Sequence, residues 1–194
     1  MQIIAVVVGI LLALFINDWV TQRQQQANVD EAMRAMRAEL SANRVEVRSH
    51  VRYLLRMAKA MQDSPSNRNK PARPCFEWDR WTGTGGVNIT DAAYQTAIAT
   101  QALANMPFRQ AQMVAQVYSW QHYSQSEVQL DMGLLTQHPQ PLEFCVDLLD
   151  DIGSIDLQLD AAYAHLIGPD KAPLPKPPPP SGTQSPASPS GKSP

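Results

Sequence analysis

Residues 29–61 read VDEAMRAMRAELSANRVEVRSHVRYLLRMAKAM, and the fold follows from how this stretch is periodic. It holds no Gly or Pro, and Ala, Arg, Glu and Met dominate, so the backbone favours a helix. Val29, Met33, Met36, Leu40, Asn43, Val47, His50, Leu54, Met57 and Met61 recur at 4-3 spacing. A mostly apolar seam of that period is built to meet other helices. Asn43 and His50 interrupt it: either they set register, or the buried face drifts at 3.6 residues per turn to take in Val51 and Ala58. The drift is the preferred reading, with His50 a satisfied structural residue. Arg34, Arg37, Arg44, Arg48, Arg52 and Arg56 are expected on the solvated or partner-facing flank.

The helical pattern reaches back to Trp19 and forward to Gln62. Residues 63–89 are then a long loop, punctuated by Pro65, Pro71 and Pro74 and by Gly83, Gly85 and Gly86. The Gly-rich piece has no Walker Lys and no preceding strand, so it reads as a turn rather than a phosphate cradle. Trp78 and Trp81 are expected to plug this loop onto the helices. A second helix is predicted over Thr90–Asn105, with Thr90 or Asn88 as its cap and Asp91 in its first turn. Its alanines suggest the most enclosed element of the bundle. A third helix starts at Pro107 and reaches about Leu135, with Trp120 and Tyr123 expected in the core. After His138-Pro-Gln-Pro141, a fourth runs from Leu142 to about Ile167. Its seam is Cys145, Leu148, Ile152, Ile155, Leu159, Ala162 and Leu166.

That fourth helix is acidic on its other side, which fits a marked charge asymmetry. Residues 1–80 carry twelve basic and eight acidic side chains, whereas 81–170 carry Arg109 against ten acids. The acidic helix is predicted to lie along the Arg-rich first helix, sharing a mainly apolar contact trimmed by surface ion pairs. With the basic half answered within the chain, nucleic acid is not an expected partner.

Upstream, Ile3–Ile16 is apolar all round and uncharged. Fourteen residues span about 21 Å as a helix, short of the ~30 Å hydrocarbon core. Continued to Val20, with Asn17, Asp18 and Trp19 at the membrane interface, the run is read as a transmembrane anchor over residues 1–20. No basic n-region and no small-x-small cleavage site point to a cleaved signal instead. Residues 169–194 are rich in Pro, Ser, Gly and Lys and are expected to be a disordered tail.

The fold expected is therefore all-α: an anchor continuing into a helical stalk, packed with about three further helices as a small antiparallel bundle over residues 21–168. No motif for catalysis is present. No cofactor is expected and no small-molecule substrate is identifiable. The only candidate metal ligands are Asp147, Asp151, Asp156 and Asp160, in i,i+4 pairs that solvated carboxylates explain equally well. Cys75 and Cys145 are compatible with one disulfide in an oxidising compartment and with buried thiols in a reducing one.

The stretch Val8-Gly9-Ile10-Leu-Leu-Ala-Leu-Phe-Ile-Asn17-Asp18-Trp19 resembles the anchors of a broad group of small bacterial single-pass proteins of unknown function. Those anchors read apolar-Gly-apolar and end in Asn-x-Trp. Asp91-Ala-Ala-Tyr94-Gln-Thr-Ala-Ile-Ala-Thr-Gln-Ala-Leu resembles the group's second block, where an aromatic follows Asp-Ala-Ala; Asp91 and Tyr94, with Trp81 in the loop before them, are expected to serve structural packing. The resemblance implies a bacterial inner-membrane protein with its body in the periplasm, although Arg23, Arg34 and Arg37 after the anchor favour the cytoplasm by positive-inside counting. The expected role is a non-enzymatic, membrane-tethered interaction module whose partners are the lipid bilayer and itself or another envelope protein. The alternative is a membrane-bound enzyme or divalent-metal-dependent factor using the acidic helix 142–167.

Overall fold

The computed structural model describes residues 2–169, and side chains within 7–129 and 138–169. The tail expected at 169–194 lies, but for its first residue, outside the described residues. Four helices make up the fold: α1 (Gln2–Asp63), α2 (Ala92–Ala99), α3 (Phe108–Gln137) and α4 (Leu142–Ile167). At 1.5 Å per residue, α1 is about 93 Å long, far longer than the bundle it supports.

Helix α1 stops where Ser64-Pro65 removes the next helical amide. There Asn67 turns back: its Nδ2 donates to the carbonyl of Met61 (2.9 Å) and to that of Asp79 (3.1 Å), while its Oδ1 accepts from the Asp79 amide (2.9 Å). One buried amide thus closes the end of α1 and fastens the loop to it. Helix α4 ends in Gly168, at φ 87°, whose amide reaches the Ala164 carbonyl at 3.0 Å. Glycine adopts this left-handed region without the Cβ penalty.

Helices α1 and α4 form the most extensive pairing, with α3 against α4 and α2 against α1. Helix α4 is antiparallel to α1, since Asp160 meets Arg44 and Asp156 meets His50. Helix α3 runs with α1, as Tyr118 reaches Glu39 and Gln121 reaches Asn43.

Two apolar clusters result. The first joins Val29–Val47 positions of α1 to Ala97, Ala102, Met106, Val114, Val117, Tyr118, Leu159 and Tyr163. The second joins Leu54, Met57, Ala58 and Met61 to Cys75, Trp78 and the start of α4. Val51 and Ala58 are buried together with Asn43 and His50, so the inward face of α1 follows the 3.6-residue drift.

Three expectations need correction. Helix α2 ends at Ala99, not Asn105, because Gln101 takes a left-handed φ of 60° and Leu103 folds back onto the Ala97 carbonyl at 3.1 Å. Nor is α2 the enclosed element: only Ala97 within it is buried. Two turns of small side chains offer too little surface for a central position, which α1 and α4 hold. Trp120 and Tyr123 are 37% and 49% exposed and stack edge to face at the surface. Helix α3 turns Val114, Val117, Tyr118 and Gln121 inward and leaves those aromatics outward.

From Val7 to Val20, α1 stands clear of the bundle, with its large apolar side chains about half exposed or more. No helix among the described residues is long and apolar enough to cross a membrane. The expected anchor begins at Ile3, and the side chains before Val7 are outside the described set.

Candidate functional site

Between the two apolar clusters lies a band of buried polar side chains, and it contains most of the chain's unusual chemistry. Arg44 and Arg48 are one helical turn apart on α1, and both point inward. Each donates Nε–H to Oδ1 of Asp160 at 2.7 Å, and Arg44 Nη1 also reaches the Gly168 carbonyl at 2.7 Å. Burial opposes a charge on Asp160, yet the hydrogen bonds from Arg48 and Arg44 outweigh it and hold the carboxyl below its usual range. These arginines were expected, with Arg34, Arg37, Arg52 and Arg56, on a solvated or partner-facing flank, and the α1–α4 ion pairs at the surface; the other four are exposed. Arg44 and Arg48 take the partner-facing side, and the surface placement of the ion pairs is what fails: Asp160 meets the guanidinium pair in the interior, where each side chain is about nine-tenths buried.

About half a turn further along α1, His50 bridges two acceptors. Its Nδ1 lies 2.6 Å from Asp156 Oδ2, and its Nε2 lies 2.7 Å from the carbonyl oxygen of Thr84. A carbonyl can only accept, so Nε2 carries a proton, and an ionised Asp156 requires one on Nδ1 as well. The ring is an imidazolium wherever Asp156 is ionised, and the short contact between them holds one proton in either form. Burial disfavours that charge, but the hydrogen bond and charge of Asp156, with the Thr84 carbonyl, raise the His50 pKa above its ordinary value. Burial likewise pushes Asp156 up, against the pull of His50. Both shifts act in one direction: the pair keeps its protons to higher pH than its members would alone.

Toward the first apolar cluster, Asn43 Nδ2 donates to the Thr90 carbonyl at 2.7 Å and its Oδ1 accepts from the Thr90 amide at 3.1 Å. Gln121 accepts from Asn43 and from the Tyr163 hydroxyl (2.8 Å) and donates to the same Thr90 carbonyl. Glu39 receives the Tyr118 hydroxyl at 2.7 Å and the Ala93 amide at 2.9 Å, which caps the start of α2 from another helix. Burial, first, and the acid beside it push the Tyr118 phenol well above its ordinary range. Every interaction in this band joins distant parts of the chain, so the band fixes which helix faces which.

The Gly-rich turn is part of the same construction. Tyr53 donates to the carbonyls of Gly83 (2.6 Å) and Thr82 (3.1 Å), and His50 takes that of Thr84. The turn thus presents carbonyls to α1. A phosphate cradle presents amides, so this turn holds helices together.

The residues singled out in the sequence are spread over the fold. Asn17, Asp18 and Trp19 lie on the projecting part of α1, where Arg23 stacks over Trp19 at 5.2 Å. Trp81 packs against the second apolar cluster, while Tyr94 stacks on Tyr118 at 4.4 Å between centroids. Asp91 accepts from Gln95 and His122, each at 2.9 Å, which holds its carboxyl below its usual range. Cys75 and Cys145 are buried and bonded to one another, with a Cα–Cα distance of 5.7 Å. Of the four candidate metal ligands, Asp156 and Asp160 are taken by His50 and by Arg44 and Arg48. Asp147 and Asp151 lie on the outward side of α4 beside Asp150, whose carboxyl burial and those two neighbours push up. Among the described residues no cluster of three or more His, Cys, Asp or Glu is placed to hold a metal ion.

Sequence reading missed Glu39, Gln121, Tyr118 and Tyr163 as members of one network. The available signal was polar side chains standing at seam positions, of which only Asn43 and His50 drew attention. No family model, curated protein or solved structure matches this chain.

Proposed function

We propose that this chain is a non-enzymatic, membrane-tethered helical module that binds a second copy of itself or another protein of the bacterial envelope. The supporting observation is the projecting Val7–Val20 part of α1. Val8, Ile10, Leu11, Leu12, Leu14 and Phe15 are each more than half exposed there, while the first buried residue of the bundle is Val29. A lone helix with apolar side chains all round is not stable in water, and removing these side chains from it is worth on the order of 10 kcal/mol. Lipid is the natural cover, with Asn17, Asp18 and Trp19 at its boundary and the upstream Ile3–Val6 completing the span.

The bundle's own chemistry supports an interaction role over catalysis. Its buried charges are matched with one another, and four of its exposed apolar side chains, Phe108, Met113, Trp120 and Tyr123, lie along one helix, α3. Such a surface suits contact with another protein. The resemblance of the anchor and the Asp91–Leu103 block to small bacterial single-pass proteins agrees with this reading.

The body belongs on the periplasmic side in this proposal. A buried pair of cysteines bonded to one another fits an oxidising compartment, and reducing compartments rarely keep one. The experiment is a fusion of alkaline phosphatase after Pro194, combined with light scattering of the detergent-purified chain. Active phosphatase with a self-associated or partner-bound species is the expected result. Inactive phosphatase removes the periplasmic placement, and a lone monomer that captures nothing removes the module.

A further inference from the structure

Between α3 and α4 runs an apolar groove of about 510 Å³. Met113, Val117 and Trp120 line it from α3, and Ala161 and Ala162 from α4. Trp120 and Tyr123 together line an adjoining hollow of about 320 Å³, so the aromatic pair extends the groove along α3. Its polar lining is amide and imidazole, from Gln116, Gln158 and His165. Aromatic faces beside side-chain donors suit a polyproline II segment, whose carbonyls have no partners within the segment itself. Such a segment arrives with its backbone already ordered, so docking it costs little entropy.

The chain carries one. Residues 173–180 read PLPKPPPP and begin five residues beyond Gly168. Arg44 Nη1 holds the Gly168 carbonyl at 2.7 Å, so the point from which the tail departs is fixed. His165, which lines the groove, stands three residues before Gly168, about 5 Å of helix rise away.

Charge gives the direction. Seven residues past Trp120 on α3 stands Glu127, and seven before Gln158 on α4 stands Asp151, each two turns along the face that lines the groove. Helices α3 and α4 run antiparallel, so both carboxylates lie beyond the end of the groove away from Gly168. A tail laid back along α4 at 3.1 Å per residue carries Lys176 about 25 Å from Gly168, and Asp151 is about 25 Å from Gly168 by helix rise. Residues 171–194 hold three lysines and no acid, opposite in sign to the acidic outer side of α4.

We infer that the α3–α4 groove is the seat of the chain's own proline-rich segment, Pro173–Pro180, laid back along α4 with its carbonyls toward Trp120 and Gln158 and with Lys176 toward Glu127 and Asp151. This contact goes beyond the interaction role proposed above and is independent of the anchor. A partner protein using the same face of α3 must displace it.

The test is hydroxyl-radical footprinting of the full chain in neutral detergent. It reads how fast Met113, Trp120 and Tyr123 are oxidised, with Phe108 of the same helix, outside the groove, as the reference. The comparison variant is Pro173→Ser/Pro175→Ser/Pro177→Ser/Pro178→Ser, whose changes lie outside the bundle. It should oxidise Met113 and Trp120 about fivefold faster, as follows when a tethered segment that covers them most of the time is released. Lys176→Glu should raise the same two rates. A peptide of residues 171–182, at roughly millimolar concentration, should slow them again in the proline variant. Equal rates in the parent chain and either variant, or a peptide without effect, would overturn the proposal. So would parent-chain rates that rise on dilution, which would put a second copy in the groove.

Discussion

His50 is the residue at which pH and stability are coupled most tightly. Its folded pKa lies above its unfolded value of 6.5, so its contribution to stability is complete below about that pH. It is lost as pH rises through the folded pKa. Asp156, also raised, acts in the same sense. Asp160 acts oppositely: its depressed pKa gives stability that is present above the ordinary carboxylate range and fades as the solution becomes strongly acidic. Melting temperature should therefore fall toward both limits, and in His50→Gln, where Asp156 keeps a raised pKa without its cation, the loss with rising pH should move to lower pH. That variant should also lose ~3 kcal/mol at pH 6, because it leaves Asp156 buried without its cation. Urea titrations from pH 5 to pH 9 measure both effects; a His50→Gln protein whose loss stays at the pH of the parent chain would contradict the assignment. The sequence announced His50 only as an interruption of an apolar seam. Its partners, 34 and 106 residues away, left no periodic trace.

At the scale of elements, the boundaries of α1, α3 and α4 were legible because Pro65, Pro107, Pro141 and Gly168 mark them in the chain. Those of α2 were not, because its end depends on a left-handed Gln101 that no local rule singles out. The loop between α1 and α2 looked irregular in sequence, yet it is fastened at both ends. Gly85 shows how closely: at φ 73°, an added Cβ would stand 3.0 Å from Tyr53 Cε1 and 3.3 Å from His50 Cδ2. Gly85→Ala should thus cost about 2 kcal/mol, through backbone strain and displacement of the two rings. Gly86, where an added Cβ meets nothing within 4 Å, supplies the comparison, and Gly86→Ala should be close to neutral. Equal effects in denaturant melts would show that the turn is not held as described. The Cys75–Cys145 bond ties the same loop to α4 across 70 residues of chain. Its removal in the Cys75→Ser/Cys145→Ser double variant should cost about 4 kcal/mol in the loop-entropy picture. A change under 1 kcal/mol in the urea-derived stability would mean that packing around Trp78 holds the loop without it.

Across the whole molecule, helicity and the α1–α4 pairing could be read from seams and charge asymmetry, but the site of the charges could not. Periodicity tells which residues share a face; it does not tell whether a charged face looks at water or at a matching charge. Arg44, Arg48 and Asp160 look at each other. Among the described residues the longest run of exposed apolar side chains is the projecting Val7–Val20 end of α1, and the account depends on what covers that end. Sedimentation after an alkaline carbonate wash of cell membranes tests this most directly, comparing the full chain with one lacking residues 1–20. The full chain should remain in the membrane pellet, while the shortened chain should move to the soluble fraction and still melt cooperatively. A full chain released by the wash would contradict a membrane tether.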